Sequence, residues 1–495
     1  MTNLRFKTLL VLSALALPFS SQAMGNDLAE EFSQAFGGRS VPESAGIFFD
    51  LGGQYAKGDG VPKNLGMALK YWTLAADQGL ITAQSKLGAM YVTGEGVAKD
   101  FGKAVKYFKL AAGQGDILGQ YNLGIMYRKG DGVTRNLAEA VKYYKLAAAQ
   151  GLSSAQCNLG DMYGEGEGVA KDLAEALKYW RLAADQGYVV AQGTLGAIYA
   201  TGKGVVAQDL VAAVKYWTLA ADQGHACSQY NLGAKYSTGE GVDKDPRAAF
   251  KYFKLAADQG EVLSQYNVGV MSENGDGVKK DFRQAVKYYK LAAKQANAAA
   301  QNRLGVMYYA GEGAPKDLGA AFTYFKLAAD QGLASAQNSF GAMHANGEGV
   351  EKDLAKAIKY WKSAAEQGLL AAQINLGSMY YAGKVVPKDL GAAFTYFKLG
   401  ADQGDSSAQY NIGVMYKKGQ GVVQNFAEAV RYYKLASDQG RCQAQYNLGL
   451  MYFRGEGVPP SPVEAARYWK LAAAQGYVDA VRILEQTGLK GSGTP

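Results

Sequence analysis

The sequence predicts an all-α solenoid of antiparallel helix pairs, and three observations predict it. A Leu-Gly dipeptide returns at a near-constant spacing along almost all of the 495 residues. Each spacing contains two stretches of helical periodicity. The glycines between those stretches stand at fixed offsets, as helix ends do.

The anchor glycines are Gly52, Gly88, Gly124, Gly160, Gly196, Gly233, Gly269, Gly305, Gly341, Gly377, Gly413 and Gly449, with Val, Phe or Ile replacing the preceding Leu in three copies. Ten of the eleven spacings are 36 residues, and the other is 37 because "GVVAQDL" carries one residue more than "GVAKDL". Twelve copies at such a period mean units that stack on their neighbours, since one helix pair cannot bury its own apolar face.

Within a repeat, the first helix (helix A) is typified by "ITAQSKLGAMYVTG", in which Ala83, Leu87, Met90 and Tyr91 make one stripe at i, i+4, i+7 and i+8. The anchor glycine lies beside that stripe. A glycine inside a helix costs about 1 kcal/mol relative to alanine, so its return in every copy implies close packing of the two helices. Gly94 is expected to end the helix in the left-handed conformation. The second helix (helix B) is typified by "KDFGKAVKYFKLAAGQG", with Ala104, Tyr107, Phe108, Ala111 and Ala112 facing inward and Gly115 closing it. Its N-cap column reads Asn64, Asp100, Asn136, Asp172, Asp209, Asp245, Asp281, Asp317, Asp353, Asp389, Asn425 and Ser461. All of these have side chains that satisfy orphan backbone N–H groups. Glu139, Glu175, Glu428 and Glu464 stand three residues on, as a capping box requires.

Segments such as "RKGDGV" therefore read as turns between helices. With the anchors, the turn and helix-end columns account for 46 of the 63 glycines, broken only at Val385 and Ala296. A phosphate loop would need Gly-Lys-Ser/Thr, and a calcium loop alternating acids with a terminal Glu. Neither occurs.

The pattern "AQYNLGIMY..G.GV..(N/D)..(E/K)A..YY..AA.QG" closely resembles the Sel1-like repeat, a relative of the tetratricopeptide repeats, over roughly residues 44–476. The resemblance implies helix pairs stacked into a right-handed superhelix. It implies a protein-interaction scaffold, of a kind often periplasmic or secreted in bacteria. Members of the family serve in host-cell invasion, envelope regulation, exopolysaccharide export and immunity to exported toxins. One branch carries paired cysteines in each repeat. Here there are three, Cys157, Cys227 and Cys442, in repeats 4, 6 and 12, so the chain resembles the cysteine-poor branch. Helices pack about 8–10 Å apart and a disulfide needs Cα atoms within about 7 Å. No disulfide is expected, and all three are expected to be buried free thiols.

Arg5 and Lys7, the apolar run "LLVLSALALPF" and "SQA" at 21–23 have the form of a secretory leader over residues 1–23. A periplasmic or secreted protein is the expectation. Residues 24–43 are expected to supply an N-terminal capping helix, 477–486 a C-terminal capping helix, and 487–495 a disordered tail. No later segment is long and apolar enough to span a bilayer. Formal charge is +8, and +6 (50 basic against 44 acidic residues) without Arg5 and Lys7. That is mild for such a length and does not suggest nucleic acid.

Chemistry-bearing motifs are scarce. The two histidines, His225 and His344, stand 119 residues apart and make no zinc pair. His344 falls in a tyrosine column and reads as a core substitution, while His225 is expected at the exposed start of a helix A. No H-E-x-x-H, G-x-S-x-G or S-x-x-K occurs. The loop acids Asp59, Glu95, Asp131, Glu167, Glu240, Asp276, Glu312, Glu348 and Glu456 precede helix B, where the dipole favours negative charge. Tyr71-Trp72, Tyr107-Phe108, Tyr179-Trp180 and Tyr468-Trp469 typify twelve aromatic pairs, which could form a stacking platform. Their place on the inward stripe favours core packing. The Lys/Arg column before them, including Arg431 and Arg467 and broken by Thr323 and Thr395, reads as a solvated outer face.

Partner binding is expected on the outward side of helix A, at anchor −2, +4 and +5. The −2 column holds Asn122, Asn158, Asn231, Asn267, Asn375, Asn411 and Asn447. In tetratricopeptide-like superhelices helix A lines the groove. An amide both donates and accepts, so this row can serve an extended peptide or bond neighbouring loops. The +4 and +5 columns vary most, and include Arg128-Lys129 and Lys417-Lys418, which suit a partner with acidic patches. The sequence thus points to a monomeric, non-enzymatic scaffold for another protein or peptide, with no cofactor or metal. The rival is an envelope hydrolase or glycan-binding protein using the same groove, which would need a convergent cluster of His, Ser or acids in one repeat.

Overall fold

The computed structural model describes residues 41–489 apart from 203–205 and 384–385. The expected leader, most of the N-terminal cap and the last six residues lie outside the described residues. The described residues form 25 helices and no strand. They run α1 (Val41–Lys57), α2 (Leu65–Asp77), α3 (Ile81–Thr93), α4 (Phe101–Gly113), α5 (Ile117–Lys129), α6 (Leu137–Ala149), α7 (Ser153–Glu165), α8 (Leu173–Asp185), α9 (Val189–Thr201) and α10 (Leu210–Asp222). Then come α11 (Ala226–Thr238), α12 (Pro246–Asp258) and the same alternation to α24 (Pro462–Ala474) and α25 (Val478–Gln486). The chain forms two compact units that meet in sequence at His225 and Ala226. The first holds five helix pairs, α1–α10. The second holds seven pairs, α11–α24, and the single helix α25, which packs Ala480 and Leu484 against Trp469.

In both units every odd helix is a helix A and the next is its helix B. The expected stripes are the buried ones. Ala83, Leu87, Met90 and Tyr91 face inward on α3, and Ala104, Tyr107, Phe108, Ala111 and Ala112 on α4. The anchor glycine has a sharper use than close backbone approach. A Cβ added to Gly88 would lie 2.6 Å from the Phe108 ring, one on Gly124 2.6 Å from Tyr144, and one on Gly233 2.6 Å from Phe253. In each repeat the second aromatic of helix B lies flat against the helix A backbone where only a glycine leaves room.

The first aromatic of the pair meets the tyrosine three residues after the anchor. Tyr91 and Tyr107 stack at 5.9 Å, Tyr127 and Tyr143 at 5.7 Å, Tyr308 and Tyr324 at 5.7 Å. Both aromatics are thus core groups. His344, in the tyrosine column, is buried edge-on to Phe322 and Phe340. His225 is half-buried and precedes α11 instead of starting it.

All twelve predicted N-caps accept a backbone N–H from their own first turn, as Asp100 does from Lys103 N at 2.9 Å and Asn136 from Glu139 N at 3.1 Å. The capping box is not completed. The N-cap N–H is already taken by a helix A carbonyl, Asn136 N donating to Tyr127 O at 2.9 Å. Glu139, Glu175, Glu428 and Glu464 turn outward and pair with Lys142, Lys178, Arg431 and Arg467 of the predicted basic column.

The cysteines are free, but they are not all buried. Cys157 is inside, where burial pushes its thiol up to about 12. Cys442 is half-buried and Cys227 is exposed, because Cys227 starts a helix A ahead of its inward stripe. Gentle maleimide treatment of the native protein should therefore label Cys227 first and Cys157 only after unfolding. Equal rates for the two would contradict this placement.

Two substitutions test the glycine columns. Gly233→Ala should lower the denaturation midpoint, although alanine is the better helix former by about 1 kcal/mol. Gly233→Leu should cost more, within the ~1–3 kcal/mol typical of overpacking. A stabilised Gly233→Ala would show that the Phe253 ring imposes nothing. Ala296 is the one non-glycine with positive φ among the described residues, at 60°. A left-handed L-residue carries about 1–2 kcal/mol of strain, so Ala296→Gly should raise stability by about 1 kcal/mol in urea denaturation. No gain would refute the strain.

Candidate partner-binding face

The outward side of helix A is built from columns that differ in what they are free to do. The seven −2 asparagines, Asn122, Asn158, Asn231, Asn267, Asn375, Asn411 and Asn447, are all half-buried. Three of them bond the preceding helix A. Asn158 Nδ2 donates to the Tyr121 hydroxyl at 3.4 Å, Asn375 Nδ2 to Asn338 Oδ1 at 3.1 Å, and Asn447 Nδ2 to the Tyr410 hydroxyl at 3.5 Å. The side chains of Asn122, Asn231, Asn267 and Asn411 have no such partner among the described residues. Within a unit, the position that supplies the partner in those three repeats holds Ser85 for Asn122, Tyr230 for Asn267 and Ile374 for Asn411. Ile374 offers no polar side chain, and Ser85 donates instead to Asp116 at 2.6 Å.

The basic pairs divide. Lys129 and Lys418, at +5, are exposed. Arg128 and Lys417, at +4, turn toward the next repeat. Arg128 holds Glu167 Oε2 through Nε at 3.0 Å and Nη2 at 2.9 Å, and Lys417 reaches Glu456 at 3.3 Å. Tyr309 donates to Glu348 at 2.8 Å and Tyr381 to Gln420 at 3.0 Å across the same step. So several loop residues expected only to favour the helix dipole act as clasps between repeats. Such part-exposed pairs are individually weak, but they fix where the +4 side chain points.

Sequence reasoning missed the polar seam behind this face. Four residues before each anchor from the second repeat on stands a buried glutamine, Gln84 being the first and Gln445 the last. Gln84 Nε2 donates to Ala76 O of the previous helix B at 3.0 Å, and Gln84 Oε1 accepts from Gln114 Nε2 at 2.8 Å. Gln114 also donates to Gly79 O at 3.1 Å. The glutamine-to-glutamine bond recurs to Gln475 and Gln445 at 2.9 Å. Its sequence signal was a strict Gln in both "AQ" and "QG", hidden because one Gln in an apolar stripe reads as surface.

Also missed was Asp161 on α7, the only charged residue in the +1 column. Trp180 Nε1 donates to its Oδ1 at 2.9 Å. The tryptophans of three other repeats donate to a helix A carbonyl instead, Trp72 to Phe49 O, Trp361 to Asn338 O and Trp469 to Tyr446 O, each at 3.1 Å. Burial raises the Asp161 pKa, with the Trp180 N–H and the Arg128 charge opposing and the nearby Glu165 and Glu167 adding to the rise.

Among the described residues no group of three or more His, Cys, Asp or Glu is placed to hold a metal ion. No described helix is long and apolar enough to cross a membrane.

Comparison with known proteins gives a consistent result. The Sel1 repeat model matches twelve times in succession, from residues 49–80 to residues 442–477. The crystal structure of c5321, a protective antigen present in uropathogenic Escherichia coli strains and displaying an SLR fold, is 34% identical. It aligns with a TM-score of 0.80 over 86% of this chain and 91% of its own. A Sel1 repeat protein from Oxalobacter formigenes is 30% identical over 74% of this chain and 99% of its own, with a TM-score of 0.47. The immunity protein Pa5087 from Pseudomonas aeruginosa is 25% identical over 43% of this chain and 81% of its own, with a TM-score of 0.29. No curated protein matches the chain. Sel1 repeat proteins are generally protein-interaction scaffolds and typically non-catalytic. With its glycine–aromatic helix pairs repeated twelve times, this chain belongs to the Sel1 repeat family.

Proposed function

We propose that this protein is a non-enzymatic scaffold, periplasmic or secreted, that binds a partner protein or peptide along the outward side of its A helices. One observation carries the reading. Asn122, Asn231, Asn267 and Asn411 are half-buried amides with no side-chain hydrogen bond among the described residues, and they recur at the same position of their A helices. A half-buried amide loses water on one side, so an extended peptide backbone, which offers both N–H and C=O, suits it well. The exposed Lys129 and Lys418 beside them favour acidic patches on the partner. The family's general role as interaction scaffold supports the coarse function. Export rests on the leader-like residues 1–23. Envelope regulation, contact with a host, and immunity to an exported toxin are the processes this reading spans.

The test is the triple variant Asn231→Ala, Asn267→Ala, Asn411→Ala. These amides bond no described side chain, so the melting temperature should stay within a few degrees of wild type. Capture of a partner from cross-linked envelope fractions should fall at least tenfold. A large loss of stability would make the amides structural. Full-strength capture by a folded triple variant would place the interaction elsewhere, such as the Lys/Arg column of helix B.

A further inference from the structure

In the first unit, α7, α8 and α9, with Arg128 of α5 and Val206, line a cavity of about 520 Å³. Its volume is in the range of small-ligand sites. Two departures from the repeat mark its lining, one helical turn apart, and the Trp180 ring packs against one of them, Gly164. Where other repeats carry side chains from alanine to tyrosine at +4, this one has Gly164. Where they carry only small or apolar groups at +1, it has Asp161. Trp180 and Leu177 wall the cavity from α8, and Ala197 and Thr201 from α9.

The charges around it are unbalanced. Arg128 lines the cavity, but its guanidinium is held by Glu167. Glu165, also in the lining, and Asp161 form no ion pair among the described residues. Asp161 has spent one oxygen on the Trp180 N–H, 2.9 Å away, and its other oxygen is without a described partner. A half-buried carboxylate with a free oxygen at the edge of an indole, in a cavity with apolar walls, attracts an organic cation through charge. The same Trp180 N–H both fixes the indole and orients the carboxylate.

We infer that this cavity is a binding site for a guanidinium or ammonium group on an apolar stem, the cation meeting Asp161 beside the Trp180 edge and the stem lying against Leu177 and Ile198. An arginine or lysine side chain of a bound protein supplies that chemistry, and so does a free amine. The site shares α7 with Asn158 of the asparagine row, but its existence does not depend on the scaffold reading.

The experiment uses the full chain labelled with 5-fluorotryptophan, whose five tryptophans give resolvable ¹⁹F signals. Trp180→Phe assigns the relevant one. n-Butylguanidinium should shift the Trp180 signal saturably, and the neutral isostere n-butylurea should bind at least tenfold more weakly. Asp161→Asn keeps an acceptor for the indole and removes the charge, so it should lose at least tenfold in affinity. Ala197→Phe, at an exposed position, should fill the cavity and abolish the shift, with circular dichroism confirming the fold. Equal binding of the urea overturns the inference. So does an unchanged titration in folded Asp161→Asn and Ala197→Phe, or a Trp180 signal that never moves. Partner capture then separates the sources. If Ala197→Phe weakens capture, the cation is the partner's side chain. If capture is unchanged while butylguanidinium binding is lost, the cation is a free amine. The titration needs no partner, so failed capture by wild type would count against the scaffold reading alone.

Discussion

The structure depends on one contact repeated twelve times: an aromatic ring of helix B seated on the glycine of helix A. The ring needs the missing Cβ, and the missing Cβ is useful only because the ring fills it. A mid-helix glycine is a local loss of about 1 kcal/mol. Burial of a Tyr, Phe or Trp side chain more than offsets it, at roughly 1.5–3 kcal/mol for a large apolar group. The contact also sets distance and register between the two helices, so each pair has the same geometry. Side chains from Phe to Trp are tolerated because all present a flat face to the glycine. Gly160 and Gly164 both meet the Trp180 ring, one at each end of the indole.

Pairs of uniform geometry still have to be joined. Apolar packing alone would let one pair slide on the next, since alanines and leucines interlock at many offsets. The buried glutamines remove that freedom. Gln84 satisfies a carbonyl of the previous helix B and is itself satisfied by Gln114 of its own. A slip of one residue would strand buried amides, at about 1–3 kcal/mol each. The tie between N-cap and helix A acts in the same way within a pair, as Asn136 N does on Tyr127 O. Polar groups here specify register, while rings and alanines supply burial.

This division explains what was legible in the sequence. Period, helix limits, caps and inward stripes were all readable, because each is set by residues close in the chain. The capping box was misread because the N-cap N–H it needs is taken by a carbonyl nine residues back, which local spacing does not reveal. The +4 side chains were placed outward by a helical wheel, yet Arg128 and Lys417 lean onto acids 39 residues ahead. A wheel knows one helix and not its neighbour. Cys227 was assigned to the core by residue type, whereas its position at the start of α11 decides otherwise. Of the candidate face, the sequence located the asparagine row but could not divide it, because the partner of Asn158 or Asn447 is a tyrosine one repeat earlier.

Asp161 shows the same limit from the other side. A lone acid among small and apolar residues is visible once the repeats are aligned. What alignment alone cannot show is that Gly164 stands one turn away with the Trp180 ring beneath both. In a solenoid, the fixed columns carry stability and the remaining columns can change without disturbing it. The anchor glycine, the glutamine and the ring all persist in the fourth repeat, so the Trp180 ring settles on Gly164 and the pair keeps its packing beside the cavity. The carboxylate that would otherwise be an expensive half-buried charge is held by the one N–H its neighbour can lend. A scaffold of this kind acquires a site by substitution in a free column: where the framework is over-determined, one new side chain such as Asp161 can face a cavity without disturbing the pair that carries it.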